Sequence, residues 1–177
     1  MRCKHCKTKF VPKKFLQKYC LETDECITSF LSHAKEVKAK QQRAKDKKTR
    51  EGLKTLTELE SEAKREFQKW VRLRDKEKPC ASCGTNNAKE WHGSHLYSAN
   101  LYSGLIFDER NVHKCCDYCN VYLHGNLLNF RKGLIERYGK EFVEQLEADS
   151  IRLRNYKYTK EQLIEIKNKY KQLNKGL

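Results

Sequence analysis

Proline, glycine and long apolar runs are what this chain has least of. Two prolines and eight glycines in 177 residues exclude a collagen-like repeat or a proline-rich linker. No apolar stretch approaches the roughly 18 residues of a membrane span, and the opening MRCKHCKTKF has no apolar segment of the secretory kind. The expectation is a cytoplasmic protein with no membrane partner. Apolar material is scarce overall: 38% of residues are hydrophobic against 34% charged, and the mean hydropathy is -0.92. That is thin for one large core and predicts small metal-stapled units joined by solvated helices.

Acid is the scarcer charge. Thirty-eight Lys and Arg against 23 Asp and Glu leave a formal charge of +15, still about +11 when eight thiolates and two Zn²⁺ are counted. Such an excess favours a polyanion, most economically nucleic acid. Residues 1–78 hold 23 of the basic and 12 of the acidic residues, so the N-terminal part reads as the arm that grips.

Cysteine is abundant. Nine cysteines without a secretory signal point to metal rather than disulfides. Eight form two sets: Cys3-x-x-Cys6 with Cys20 and Cys26, and Cys80-x-x-Cys83 with Cys116-x-x-Cys119. Four thiolates suit a tetrahedral zinc and leave no open position for chemistry. Cys115 is left over as a bystander.

Four segments follow. Residues 1–30 form a four-cysteine zinc finger, with Phe10, Val11, Phe15 and Tyr19 expected around the metal and Lys13, Lys14 and Lys18 as phosphate contacts. Residues 31–78 form a helical arm. Its first part is polar all round, with Arg43, Lys47 and Lys48 able to lie along a phosphate backbone; His33 is expected to be inert. Its second part carries an apolar stripe (Leu53, Leu56, Leu59, Ala63, Phe67, Trp70, Val71), expected to bury Trp70 against the centre or to form a homodimer surface; Arg72 and Arg74 extend the basic face. Residues 79–139 form a zinc-stapled centre. Within it, Leu96–Phe107 reads as loop and strand, Val112–Lys114 as a return strand, Cys116–Leu123 as the start of a helix and Leu127–Tyr138 as another. Residues 140–177 form C-terminal helices, over Glu141–Arg154 and after the capping box Thr159-x-x-Gln162.

The histidines inside the second cysteine loop are spare. Phosphodiester hydrolysis needs an activated water and a cation to neutralise developing charge, and a neutral imidazole is a suitable base near pH 7. The residues present offer His95 as base, His92 as a metal ligand, and Asn120 or His124 as ligands four residues apart; His113 is a rival base or ligand. The plain alternative is that these histidines are structural, or that His92 or His95 replaces a cysteine on zinc.

The ordered set CxHCKxKFVPKxFxQKYC, FxKWVRLRDKEKPCASCG, DERNVHKCCDYCN and LHGN…FRKGLIERYG, spanning Cys3 to about Gly139, resembles the NinG (Rap) family of lambdoid phage recombination proteins, and with it the zinc-containing HNH (His-Me finger) nucleases. The resemblance implies an α+β fold: a small ββα-metal centre stapled by zinc, an N-terminal zinc finger and long flanking helices. It implies a metal-dependent endonuclease in the host cytoplasm that acts on branched DNA (Holliday junctions, displacement loops), with a phage or host recombinase as partner. His95 would be the general base and Asn111 the residue that steadies the hairpin. Asn120 or His124 would ligate Mg²⁺ or Mn²⁺, beside two structural Zn²⁺; His92 stands where relatives carry an acidic ligand, and Ser94 where a glycine is expected. The rival readings are a non-catalytic zinc-finger protein that binds nucleic acid and an HNH enzyme that cuts plain duplex.

Overall fold

The computed structural model describes residues 1–176, which divide into two compact units at Lys54/Thr55. The chain is a small mixed α+β protein with two cysteine clusters.

In the first unit, a tight turn at residues 3–8 leads through a loop to α1 (Asp24–Gly52). This helix starts inside the finger rather than after it, because Thr23 caps it by accepting a hydrogen bond from the Cys26 amide. Cys26 is therefore held in the first helical turn and is its only buried residue. Cys3, Phe10, Tyr19 and Cys26 make the core. Tyr19 packs against Phe30 and His33, with ring centroids 5.9 and 5.8 Å apart. Val11 and Phe15, expected in that core, are instead 87% and 94% exposed, since Phe10 and Tyr19 already fill the space beside the thiols. Beyond Phe30 the helix is solvated, in line with its polar sequence.

The second unit is built round a two-stranded antiparallel hairpin, β1 (Trp91–His95) with β2 (Val112–Cys116), in a register that sets Trp91 opposite Cys116 and His95 opposite Val112. Every residue of β2 is buried, because helices cover both faces. On one face lie α2 (Leu56–Arg74) and α5 (Lys160–Gly176), where Leu59, Ala63, Phe67, Trp70 and Val71 meet Leu163, Tyr170, Ile106, Phe107 and Val112. On the other face lie α3 (Leu127–Tyr138) and α4 (Lys140–Arg152), where Phe130, Leu134, Val143 and Leu146 pack against Leu105, Cys115 and Cys116. The expected box of Thr159 with Gln162 forms ahead of α5, and a second, Thr55 with Glu58, opens α2.

Several expectations change. From Leu59 onward the stripe proposed as a dimer surface is buried within the chain against α5, while Leu56 is 47% exposed and Leu53, outside α2, is 77% exposed. Leu96–Phe107 contains a 3-10 turn at Ser103–Leu105 and no strand, because β1 ends at His95. Arg74 is no phosphate contact: it donates to Asp75, to the carbonyls of Glu109 and Val112 and to His113, and its guanidinium lies 4.9 Å from the Trp70 ring centre.

Asp75 is the centre of that cluster. Fully buried, it accepts from Arg74, from Lys78 Nζ at 2.9 Å and from the Lys114 amide at 3.2 Å, tying the end of α2 to β2. Burial opposes its charge, but His113, Arg74 and Lys78 together hold its carboxyl far below the usual carboxylate range. A carboxyl depressed in the folded state stabilises above its unfolded pKa of about 3.9 and loses that contribution as pH falls. Asp75→Ala should therefore cost about 3–5 kcal/mol at pH 7, and the difference from wild type in urea midpoints should shrink steadily below pH 4; an unchanged midpoint at pH 7 would refute this role.

Candidate metal centres and hairpin site

The two cysteine sets are brought together as their spacing requires. Within each of Cys3, Cys6, Cys20, Cys26 and Cys80, Cys83, Cys116, Cys119 the sulfurs lie within 4.8 Å of one another. Both first knuckles use the same turn. The amide of the residue after the second cysteine donates to the carbonyl of the first, Lys7 to Cys3 at 3.1 Å and Gly84 to Cys80 at 3.0 Å. The first cysteine's amide donates to the carbonyl of a threonine just past the second cysteine, Cys3 to Thr8 and Cys80 to Thr85. Lys7 and Gly84 both take positive φ, 61° and 73°, which glycine adopts freely and lysine only at some cost.

The donor chemistry fits zinc. Amides point at sulfur as they do at thiolates: Cys20 N to Cys3 Sγ at 3.4 Å, Cys116 N to Cys80 Sγ at 3.3 Å and Cys119 N to Cys116 Sγ at 3.4 Å. Asn126 adds its side-chain amide to Cys119 Sγ at 3.5 Å. No spacing rule points to Asn126; it reaches the sulfur because His124, Gly125 and Asn126 all adopt positive φ and fold the chain back. Ser82 fastens that turn by donating to the Gly125 carbonyl. Cys115 is not one of the four but lies against them: fully buried, its thiol sits 3.5 Å from Ser82 Oγ and hydrogen-bonds with the Cys80 sulfur. Helix α3 closes over the knuckle so tightly that a Cβ at Gly133 would run into the Ala81 carbonyl, and Arg137 donates to the carbonyls of Pro79 and Cys80. Among the described residues no histidine joins either cluster.

His95 ends β1. Its Nε2 lies 3.1 Å from the Ile106 carbonyl; a carbonyl only accepts, so Nε2 carries the proton and Nδ1 keeps its lone pair. Among the described residues Nδ1 has no hydrogen-bond partner. Burial first, then the charge of Lys64, lower the ring's pKa against the opposing carbonyl contact, so the imidazole is neutral at pH 7. Asn111, fully buried, holds the loop that carries this carbonyl. Its amide donates to the carbonyls of Tyr97 and Leu105, both at 3.0 Å, and its oxygen accepts from the Tyr97 amide at 2.8 Å.

The proposed cation ligands are less well assembled. Asn120 sits in a single π-helical turn, Tyr118–Tyr122, and accepts from Ser94 Oγ at 2.6 Å, which places its amide beside the residue before His95. His92 shares a strand face with Ser94 by alternation and lies 3.8 Å from Glu90. His124 is not on a helix with Asn120: the turn ends at Tyr122, and the exposed His124 has φ 50°, so spacing of four carries no ligand geometry there. His113 is no rival base. It is buried, with Nε2 directed at the Arg110 carbonyl and Nδ1 at Arg74.

Basic side chains border this strand. Arg72, Lys76, Lys89 and Lys114 line a cleft with Trp91, His92 and Glu90. Lys114 donates to the Lys76 carbonyl and rests its ammonium 4.2 Å from the Trp91 ring centre. Sequence reading singled out Arg72 but not Lys76, Lys89 or Lys114, whose convergence depends on strand register and on where α2 ends. Arg43, Lys47 and Lys48 are exposed on α1, and Lys13, Lys14 and Lys18 on the finger loop.

A basic protein with two tetrathiol centres and a covered hairpin is the class these features define. The family described as Bacteriophage Lambda NinG protein matches the chain over residues 1–177, and the chain belongs to that family. Over 116 residues it is 38% identical to protein ninG of Escherichia phage 933W and of Salmonella phage P22, covering 66% of this chain and 56% of each relative. It is 36% identical to protein ninG of Escherichia phage lambda, covering 66% of this chain and 55% of that one. The match thus spans little more than half the length of these relatives. No solved structure matches. No helix among the described residues is long and apolar enough to cross a membrane.

If both clusters hold zinc, metal analysis of the purified chain should give two ions per molecule and Cys83→Ser should leave one. Chelation should unfold residues 1–54 ahead of the rest, because a unit with so small a core depends on the metal for its folding energy. A metal-free chain with unchanged circular dichroism would contradict this.

Proposed function

We propose that this protein is a metal-dependent endonuclease that cuts branched DNA, with the hairpin and following π-turn acting as a zinc-stapled ββα-metal centre of the HNH kind. The observation that carries the reading is His95: a neutral imidazole at the end of a pinned strand, its Nε2 proton committed to the Ile106 carbonyl and its Nδ1 lone pair left for a water. Asn111 serves as a positioning residue, since it fixes Leu105 next to the carbonyl that orients the ring.

Asn120, which Ser94 holds beside His95, is the side chain available to hold a divalent ion there; His92 stands toward the other end of β1, on the face opposite His95. A single amide, with no carboxylate beside it, would leave such an ion, Mg²⁺ or Mn²⁺, mostly to water and phosphate oxygens. Such an ion would neutralise charge building on the phosphate. His95 Nδ1 would take the proton of the attacking water, and Arg72, Lys76 and Lys89 would hold flanking phosphates. Zinc, locked among thiolates, takes no part in the chemistry.

His95→Ala should lower single-turnover cleavage of a four-way junction by about 10²–10⁴-fold, with Mn²⁺ or Mg²⁺ present and junction affinity unchanged. Equal cleavage by the variant, or none by wild type with either ion, would leave a protein that only binds. Linear duplex cut as readily as the junction would favour the duplex-cutting alternative.

The base must be unprotonated, so the cleavage rate should rise with pH through the lowered His95 pKa and be flat from about pH 7 upward. A rate still climbing tenfold per unit between pH 7 and 8 would rule His95 out as the limiting base.

A further inference from the structure

The finger loop Val11–Lys18 has an unexpected shape. Val11, Phe15 and Leu16 are 87%, 94% and 68% exposed on this one loop. An apolar cluster of this kind on a small, strongly basic unit is not accounted for by folding, since the core needs only Phe10, Tyr19 and the thiols. Nor is the loop slack. Gln17 braces it from within, accepting from the Lys13 amide at 2.9 Å and donating to the Tyr19 carbonyl at 2.8 Å, while its own amide donates to the Lys14 carbonyl at 3.2 Å. Leu16 is held at φ 63°, a conformation that a leucine adopts only when its surroundings impose it. The loop accepts backbone strain to display an aromatic ring.

The charge around that ring selects its partner. Residues 11–18 contain Lys13, Lys14 and Lys18 and no acid, and these lysines line one groove with Phe15, Tyr19 and Phe30, where Glu22 is the single acid against three ammonium groups. Ammonium groups flanking an exposed aromatic ring match a nucleic-acid strand, with phosphates on either side of a flat base. Within a continuous duplex every base face is covered by its neighbours. A ring can stack without first prying base pairs apart only where that continuity is broken, at a strand end, a mismatch or a branch point.

We propose that Val11–Lys18 is a stacking finger, in which Phe15 lies on a base left uncovered at a DNA branch while Lys13, Lys14 and Lys18 hold the adjoining phosphates. The inference rests on the reading of the chain as a protein of branched DNA and deepens it by naming what tells a branch from plain duplex. It requires binding and not cleavage. Because Gln17 orders the loop in advance, stacking does not first have to freeze it.

The test uses the full zinc-loaded chain carrying His95→Ala, so that loss of cleavage does not enter the readout. Affinities for an immobile four-way junction and for linear duplex are measured together with the fluorescence of a 2-aminopurine at the branch. Adding Phe15→Ala should weaken junction binding roughly tenfold or more and abolish the fluorescence change. Duplex affinity and two zinc ions per chain should be retained. Phe15→Trp should restore both junction signals. Lys13→Ala with Lys14→Ala should weaken junction and duplex alike and flatten the salt dependence. The proposal is overturned if Phe15→Ala binds the junction as its parent does, or weakens both DNAs equally. It is also overturned if the variant keeps both affinities and loses only the capture of another protein, which would make the loop a protein-docking surface. A fluorescence change that depends on Phe15, in a chain whose His95 form never cuts, would sink the nuclease reading and leave the stacking finger standing.

Discussion

Sulfur holds the larger unit of this molecule together. A two-stranded hairpin is marginal by itself in water, and this one has five residues in each strand. What fixes it is that the knuckle preceding β1 and the cysteines at the end of β2 meet in one cluster, Cys80 and Cys83 with Cys116 and Cys119. Nearby constraints serve the same end: Cys116 donates its amide to Cys80 Sγ, the Ala81 amide reaches the Lys114 carbonyl, and α3 lies against the knuckle at Gly133. With that end pinned, the other end of β1 presents His95 in a fixed place.

Two polar devices then orient the ring. The buried amide of Asn111 acts on Tyr97 as a strand partner would, giving and taking one hydrogen bond each way, and so extends the pairing past the end of β1. Its third bond, to the Leu105 carbonyl, sets the turn from which Ile106 meets His95. At β2, Asp75 gathers Arg74, Lys78 and the Lys114 amide and sits 3.6 Å from His113. His95 and His113, at neighbouring positions of the paired strands, thus differ in kind. His113 is sealed between Arg74 and the Arg110 carbonyl, whereas His95 keeps one nitrogen unoccupied.

The first unit shows the same cysteine turn in another setting. Its cluster copies the knuckle of the second, down to the paired threonines Thr8 and Thr85. It supports no hairpin of comparable length and has no histidine between its cysteine pairs. It carries instead a long solvated helix with Arg43, Lys47 and Lys48 and an apolar loop tip among lysines. One scaffold fixes the end of a strand and its histidine; the other carries exposed side chains.

Composition and spacing alone determined the two thiol quartets, the amphipathic stripe of α2 with Trp70 inside, and the capping box ahead of α5, because each depends on residue type at a fixed chain separation. Other features waited on the tertiary structure because they depend on contacts between distant segments. Arg74 looked like surface charge and became a clamp once the end of α2 met Glu109, Val112 and His113. Phe15 looked like core and became surface once Phe10 and Tyr19 had closed the space. His124 lost its helical relation to Asn120 when three successive left-handed residues turned the chain at 124–126. Which lysines share a cleft with His92 was likewise a matter of register, since alternation along β1 and β2 decides which side of a strand a residue faces, and only pairing decides what lies opposite it.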